Sequence, residues 1–115
     1  MHELAVCQAL VAQVEALARQ RAARVRKVRV AVGPLSGVEA ALLEQAYPFA
    51  CAGGDAEGST LDIAAAPVRV RCATCGAESA ATVNRLLCGE CGDWRTQLVS
   101  GDELTLVTVE LCSDV

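Results

Sequence analysis

The cysteines are the residues of this chain whose type and spacing most directly predict chemistry. Two C-x-x-C pairs stand with twelve residues between them, and their members are Cys72, Cys75, Cys88 and Cys91. Two cysteines at this spacing direct both sulfurs towards one point, and two such turns complete a tetrahedron. Gly76 and Gly92 follow directly, and a glycine there accepts the positive φ that aims backbone N–H groups at sulfur.

The predicted four-thiolate site is a scaffold for the fold. Four sulfurs fill the tetrahedron and leave no position for a bound water, which argues against hydrolytic chemistry. Zinc is the favoured metal, while rubredoxin-type iron uses the same ligands and stays an alternative. Of the other cysteines, Cys7 fits a buried core thiol because it lies on an apolar helical stripe. Cys51 and Cys112 receive no role.

A second metal site is suggested by the first residues, Met1 and His2. The Met1 amine, the amide nitrogen of His2 and its imidazole can chelate one metal in adjoining small rings. Nitrogen donors in a plane suit Ni(II) or Cu(II). A histidine near a chain end is by itself a weak signal, because chain ends are usually mobile.

The hydrophobic pattern predicts the elements that must hold these sites. Residues 3–22 have helical periodicity, including Leu17 on the apolar stripe, and residues 27–32 alternate as a strand. A second helix is expected from Ser36, with Leu42 and Phe49 on its apolar face and an early end or a kink at Pro48. A strand follows at residues 61–63. Residues 104–111 form a last strand that is apolar on both sides, which favours a central or doubly covered position.

Together these elements predict an α+β fold, with two helices packed on a three-stranded sheet and an inserted four-cysteine zinc-ribbon module. The expected domains are residues 1–66 plus 101–115, which form an α+β domain, and residues 67–100, which form the ribbon. A small ribbon has few large apolar residues, so a structural metal is expected to supply much of its stability.

Composition excludes several classes. The 115 residues have a net charge of -4, which argues against nucleic-acid binding. No run reaches the roughly 18 apolar residues of a membrane helix, and no signal peptide is evident, so a cytoplasmic location is expected. Six of ten basic residues nevertheless lie within eleven positions, 19–29. They form either a solvated helix end and outward strand side or a docking surface for an acidic partner.

Three features in combination resemble the HypA/HybF family of hydrogenase nickel-insertion proteins. They are the start Met-His-Glu-Leu, the segment Val-Gly-Pro-Leu-Ser-Gly-Val-Glu at residues 32–39, and the paired C-x-x-C ribbon. The resemblance runs from Met1 to about Leu111. It implies a nickel-binding α+β domain carrying a zinc ribbon, with His2 as the main nickel ligand, assisted by the Met1 amine and Glu3. It also implies a HypB-type GTPase and the large subunit of a [NiFe] hydrogenase as partners, with urease and its accessory proteins as further candidates.

Two acidic residues keep alternative interpretations. The family places an acid near nickel at the position of Glu39, yet Ser36-x-x-Glu39 also reads as a capping box, the favoured interpretation. Glu3 fits the favourable first turn of a helix, but its place beside His2 favours a metal role. Unlike the familiar members, this ribbon has no histidine, because His2 is the single histidine of the chain.

The function expected from these observations is that of a nickel metallochaperone. An enzyme is not expected, because no nucleophile–base pair, phosphate-binding loop or open catalytic metal site is visible. The alternative from another class is a zinc-ribbon adaptor that binds protein, or nucleic acid through the basic run, without a nickel role. A rubredoxin-like electron carrier is a remote third hypothesis.

Overall fold

The computed structural model describes residues 2–113, with the side chains of residues 3–112. In chain order the elements are α1 (His2–Gln20), β1 (Ala23–Val32), α2 (Ala40–Cys51), β2 (Thr60–Ala65), β3 (Arg69–Cys72), β4 (Glu78–Ala80), β5 (Thr96–Ser100) and β6 (Leu104–Ser113). The strands form two three-stranded sheets, in the orders β2-β1-β6 and β4-β3-β5.

The larger sheet is built around β1, which runs parallel to β2 and antiparallel to β6. The parallel pair is possible because α2 provides the crossover between its strands. Both helices pack on one face of this sheet, where Val14, Val28, Val30 and Leu43 are fully buried. The smaller sheet comes from the segment between β2 and β6. The predicted α+β class with an inserted ribbon is therefore confirmed.

The first helix follows its predicted stripe, with one exception. Five of its residues are buried, namely Cys7, Leu10, Val11, Val14 and Ala18, whereas Leu17 remains 39% exposed. The helix ends at Gln20 and not at residue 22, because Ala22 adopts a left-handed φ of 50°. Within residues 2–113, neither helix is both long enough and apolar enough to cross a membrane.

The second helix differs from the prediction in its start and its face. It begins at Ala40 and not at Ser36, because Gly37 has a φ of 78° that a right-handed helix excludes. The buried face consists of Leu43, Tyr47 and Cys51. The residues expected there, Leu42 and Phe49, are 43% and 79% exposed.

Pro48 does not end this helix early, since the helix continues to Cys51. The proline ring leaves the carbonyl of Glu44, one turn back, without its helical donor. Both residues are exposed, so water can bond to that carbonyl on the solvent side of the helix.

The last strand is an edge strand, which corrects the expectation of a central or doubly covered one. In its register Arg29 lies opposite Thr108 and Val30 opposite Leu106, so that Val107 has no opposite residue. Such a bulge puts two consecutive residues on the same side of the sheet. Val107 is accordingly 51% exposed. The doubly apolar pattern of this strand comes from the bulge and not from burial on both faces.

Cys7 is the core thiol that the sequence predicted. Its side chain is fully buried, and its Sγ donates to the carbonyl oxygen of Leu43 at 3.3 Å. Burial, with a smaller contribution from Cys51, raises the pKa of Cys7 to about 11. Burial also raises the pKa of the Cys51 thiol. Cys112 is exposed.

These positions predict an order of thiol reactivity. Because only the thiolate is alkylated, iodoacetamide at about pH 8 should modify Cys112 rapidly and leave Cys7 and Cys51 protected in the folded, metal-loaded protein. Peptide mass spectrometry measures this order, and equal rates for Cys7 and Cys112 would contradict it.

The buried thiols ionise more easily when the chain is unfolded, so the free energy of unfolding should fall as pH rises from about 8.5 towards the folded-state pKa of about 11 for Cys7.

Candidate metal centres

The first cysteine turn begins where β3 ends. The backbone N–H groups of Thr74 and Cys75 donate to the Sγ of Cys72 at 3.3 and 3.4 Å. Gly76 has a φ of 76°, and its N–H donates to the carbonyl oxygen of Cys72 at 3.1 Å. The glycine therefore allows the tight turn that brings two N–H groups to one sulfur, as the sequence predicted.

The second turn repeats this geometry residue by residue. Glu90 and Cys91 donate their backbone N–H groups to the Sγ of Cys88 at 3.3 and 3.4 Å. Gly92 has a φ of 77°, and its N–H reaches the carbonyl oxygen of Cys88 at 3.0 Å. Two equivalent turns thus approach one another, each with one sulfur stabilised by its own backbone.

The four sulfurs converge. They lie within 4.8 Å of one another, with 3.6 Å between the Sγ atoms of Cys72 and Cys91 and 3.5 Å between those of Cys75 and Cys88. A tetrahedral zinc with Zn–S bonds of about 2.3 Å requires sulfur separations of about 3.8 Å. The four residues therefore fit a single metal ion of that kind, which they would hold without an open position.

At one sulfur of each turn the electrostatics favours the thiolate form that a metal needs, while the pKa values of Cys75 and Cys91 are raised. The N–H groups of Cys75 and Thr74 lower the pKa of Cys72. The N–H groups of Cys91 and Glu90 lower the pKa of Cys88 to about 6. Each turn consequently supplies one thiol that ionises readily, and a bound cation would favour ionisation of all four.

A brace between the two turns was missed by the sequence analysis. The carboxylate of Asp93 accepts a hydrogen bond from the Oγ1 of Thr74 at 2.6 Å and binds Arg95 at 3.2 Å. The Thr74 hydroxyl, the backbone N–H of Arg95 and the Arg95 guanidinium hold the pKa of Asp93 well below its usual range. The backbone N–H of Ala73 also donates a hydrogen bond to the carbonyl oxygen of Arg95 at 2.8 Å, which joins the same two turns. These contacts keep the cysteine turns together, and an aspartate directly after a C-x-x-C-G turn was the available signal.

The predicted nickel ligands lie only partly within the described residues. Met1 and the side chain of His2 are outside them, while the backbone of His2 begins α1. Glu3 is described, and its Oε2 accepts a hydrogen bond from the backbone N–H of Glu39 at 3.3 Å. The fold thus brings together two of the acids that the sequence singled out, although they are 36 positions apart.

The capping box proposed for Glu39 is wrong. Glu39 is itself the N-cap residue of α2 and makes no side-chain capping bond. The hydroxyl of Ser36 instead accepts a hydrogen bond from the N–H of Val38 at 3.2 Å. The Glu39 side chain is exposed and makes no capping hydrogen bond. Its alternative interpretation as a metal ligand stays a prediction.

Fold and site together define a class: a metal-binding α+β protein that carries a closed four-thiolate ribbon ahead of its last strand. Within that class, the family model for hydrogenase/urease nickel incorporation metallochaperones, HypA, matches residues 1–111. The chain therefore belongs to the HypA family, as the resemblance implied. It is not an enzyme, because this is a family of metallochaperones and maturation factors.

Individual relatives agree with this assignment. The chain is 53% identical over 112 residues to the hydrogenase maturation factor HypA of Nitrosospira multiformis, covering 96% of this chain and 97% of that protein. It is 44% identical over 112 residues to the same factor from Streptomyces avermitilis, covering 95% and 86%. Its fold is similar to the solution structure of the Ni metallochaperone HypA from Helicobacter pylori, with a TM-score of 0.72, 22% identity and coverage of 97% and 98%.

The positive φ of Gly92 leads to a prediction about metal retention. In Gly92→Ala the left-handed turn should cost about 1–2 kcal/mol, which weakens metal binding roughly 5- to 30-fold in competition with a chelator. Gly58→Ala is the matched control, because Gly58 has a φ of 82° against 77° for Gly92 and neither β-carbon meets an atom within 4 Å. The control should lose stability but keep its metal, and equal metal loss in both variants would contradict the proposed turn.

Proposed function

We propose that this chain binds Ni(II) through its N-terminal residues and delivers the ion to a [NiFe] hydrogenase during maturation. The observation that carries the proposal is membership of the nickel-incorporation family over residues 1–111, in a chain whose sequence starts Met-His-Glu. The ligands would be the Met1 amine, the amide and imidazole nitrogens of His2, and the carboxylate of Glu3. The ribbon cysteines would hold structural zinc.

The chemistry of the ligand set suits a cargo that must bind and leave. Nitrogen and carboxylate donors on one short segment can occupy adjoining positions around Ni(II). Binding requires the imidazole and the amine to give up protons, which titrate near 6.5 and 7.7–8.0 in free peptides. A site built from the first residues of a helix also leaves part of the ion open to an accepting protein.

The contact between Glu3 and Glu39 supports this location. It holds the Glu3 carboxylate at the start of α2, where the exposed Glu39 side chain offers a further oxygen donor. If Glu3 turned towards nickel, the N–H of Glu39 would lose an acceptor on a solvent-exposed residue, where water can replace it. The loss of that one hydrogen bond would therefore cost little, and Glu39 is a candidate for the remaining nickel ligand.

The ribbon is proposed as a permanent zinc site and not as a second nickel site. Four thiolates enclose the ion completely, and no histidine is present in the ribbon to exchange with a cysteine. The closed shell gives the small β3–β5 sheet stability that its few buried residues do not provide. The two centres thus have different tasks, one holding a metal and the other passing one on.

Membership of this family assigns the chain to the hydrogenase maturation machinery. The specific partners that we propose are a HypB-type GTPase and the hydrogenase large subunit, with urease and its accessory proteins as further clients. Any GTP hydrolysis would be carried out by the GTPase. The proposed location of this chain is the cytoplasm.

The N-terminal chelate makes a prediction that a zinc-only adaptor does not. Untagged protein should bind Ni(II) in isothermal titration calorimetry, and His2→Ala should lose most of that affinity because the imidazole is gone. One residue added ahead of Met1 should do the same, since it moves the terminal amine out of the chelate while every side chain is kept.

Two controls separate loss of the site from loss of the fold. Gln8→Ala alters an exposed residue of the same helix and should leave nickel affinity unchanged. Zinc content should stay constant in all variants. Unchanged nickel affinity in the extended protein would rule out the terminal amine as a ligand, and absence of nickel binding in the untagged protein would favour the zinc-only adaptor.

A further inference from the structure

The β2-β1-β6 sheet has one face that neither helix covers. The core lies entirely on the opposite side, where Val25, Val28, Val30 and Val32 of the central strand are buried. The uncovered side is here called the open face. Its charged residues are Arg24, Arg26, Lys27, Arg29, Asp62 and Glu110.

Four cations stand in a row along the central strand because of a bulge. Val25 lies opposite Leu111 and Lys27 opposite Glu110, which leaves Arg26 without an opposite residue. The bulge puts Arg26 and Lys27 on the same side of the sheet. Every residue of β1 that lies on the open face from position 24 to position 29 is therefore a cation. A regular strand would give one cation at every second position, spaced about 6.6–6.8 Å apart.

The carboxylates of the open face do not balance these cations. Asp62 binds Arg29 at 3.0 Å and Lys27 at 4.0 Å, so one acid serves two bases. Arg24 and Arg26 are exposed, and neither has an ion pair with any of the described side chains, residues 3–112. The open face is therefore a positive surface on a chain whose net charge is -4.

We propose that the open face binds an acidic segment of a partner protein. Charge complementarity selects this occupant: glutamates or aspartates at alternate positions of an extended segment would match the pairs Arg24/Arg26 and Lys27/Arg29, whose members are two positions apart on either side of the bulge. A second copy of this chain is a poor occupant, because two open faces related by a twofold axis would oppose like charges. A nucleic acid is disfavoured by the acidic remainder of the chain, since phosphate binding depends on many released counterions.

This proposal is independent of the nickel site, because it uses neither Met1, His2 nor Glu3. It interprets residues 24–29 of the basic run as a docking surface, whereas Arg19 lies in the last turn of α1 and pairs with Asp55 at 3.2 Å. The surface would give an acidic partner a faster and better oriented approach.

The test is an NMR titration of the ¹⁵N-labelled, metal-loaded full chain with a short capped peptide of alternating glutamate and serine. Chemical-shift changes are expected at backbone amides of β1, β2 and β6 and not in the ribbon strands. In the Arg24→Gln/Arg26→Gln variant the apparent Kd should rise about five-fold or more, because both unpaired cations are removed. A peptide with glutamine in place of glutamate should not bind.

The matched control is Arg71→Gln/Arg85→Gln, which changes the net charge equally at two exposed positions of the ribbon. Its Kd should stay within about two-fold of the original protein. Equal weakening in both variants, or shifts spread over the whole chain, would overturn the proposal by indicating non-specific attraction. Tighter binding of a single-stranded DNA oligonucleotide at the same residues would overturn it in favour of a nucleic-acid surface.

Discussion

The fold depends on one close approach at the end of β1, where the chain leaves the larger sheet and returns to it. Val32 lies between Ala65, the last residue of β2, and Leu104, the first residue of β6. The N–H of Gly33 then donates to the carbonyl oxygen of Glu103 at 2.8 Å. A β-carbon at Gly33 would collide with the backbone of Gly101, so only glycine lets both ends of the insertion meet β1 at one point.

The loop that follows this approach connects the root of the ribbon with the start of α1. Leu35 donates its N–H to the carbonyl oxygen of Gly101 at 2.8 Å, at the root of the ribbon. A few residues later Glu39 bonds to Glu3, at the start of the chain. The segment of residues 32–39 that supported the family resemblance therefore has a structural explanation. It fixes the ribbon on one side and positions acids near the expected nickel ligands on the other.

Sequence reasoning succeeded where one short motif determines geometry and failed where distant residues decide it. The spacing and following glycines of the cysteine pairs were sufficient to predict the four-sulfur cluster. The exposure of Val107 depends on a bulge against β1, which no local pattern reveals. The exposed position of Phe49 depends on which face of α2 packs against α1 and the sheet, and Leu43, Tyr47 and Cys51 occupy that face. The Thr74–Asp93 brace joins the two turns, so it becomes visible only when they meet.

The central claim is that one closed sulfur site and one nitrogen–oxygen site serve two metals in the same molecule. X-ray absorption at both metal edges of a single zinc- and nickel-loaded sample tests it most directly. We expect four sulfur neighbours at about 2.3 Å around zinc, and only nitrogen and oxygen neighbours around nickel. Sulfur neighbours at the nickel edge, or fewer than four at the zinc edge, would contradict the account.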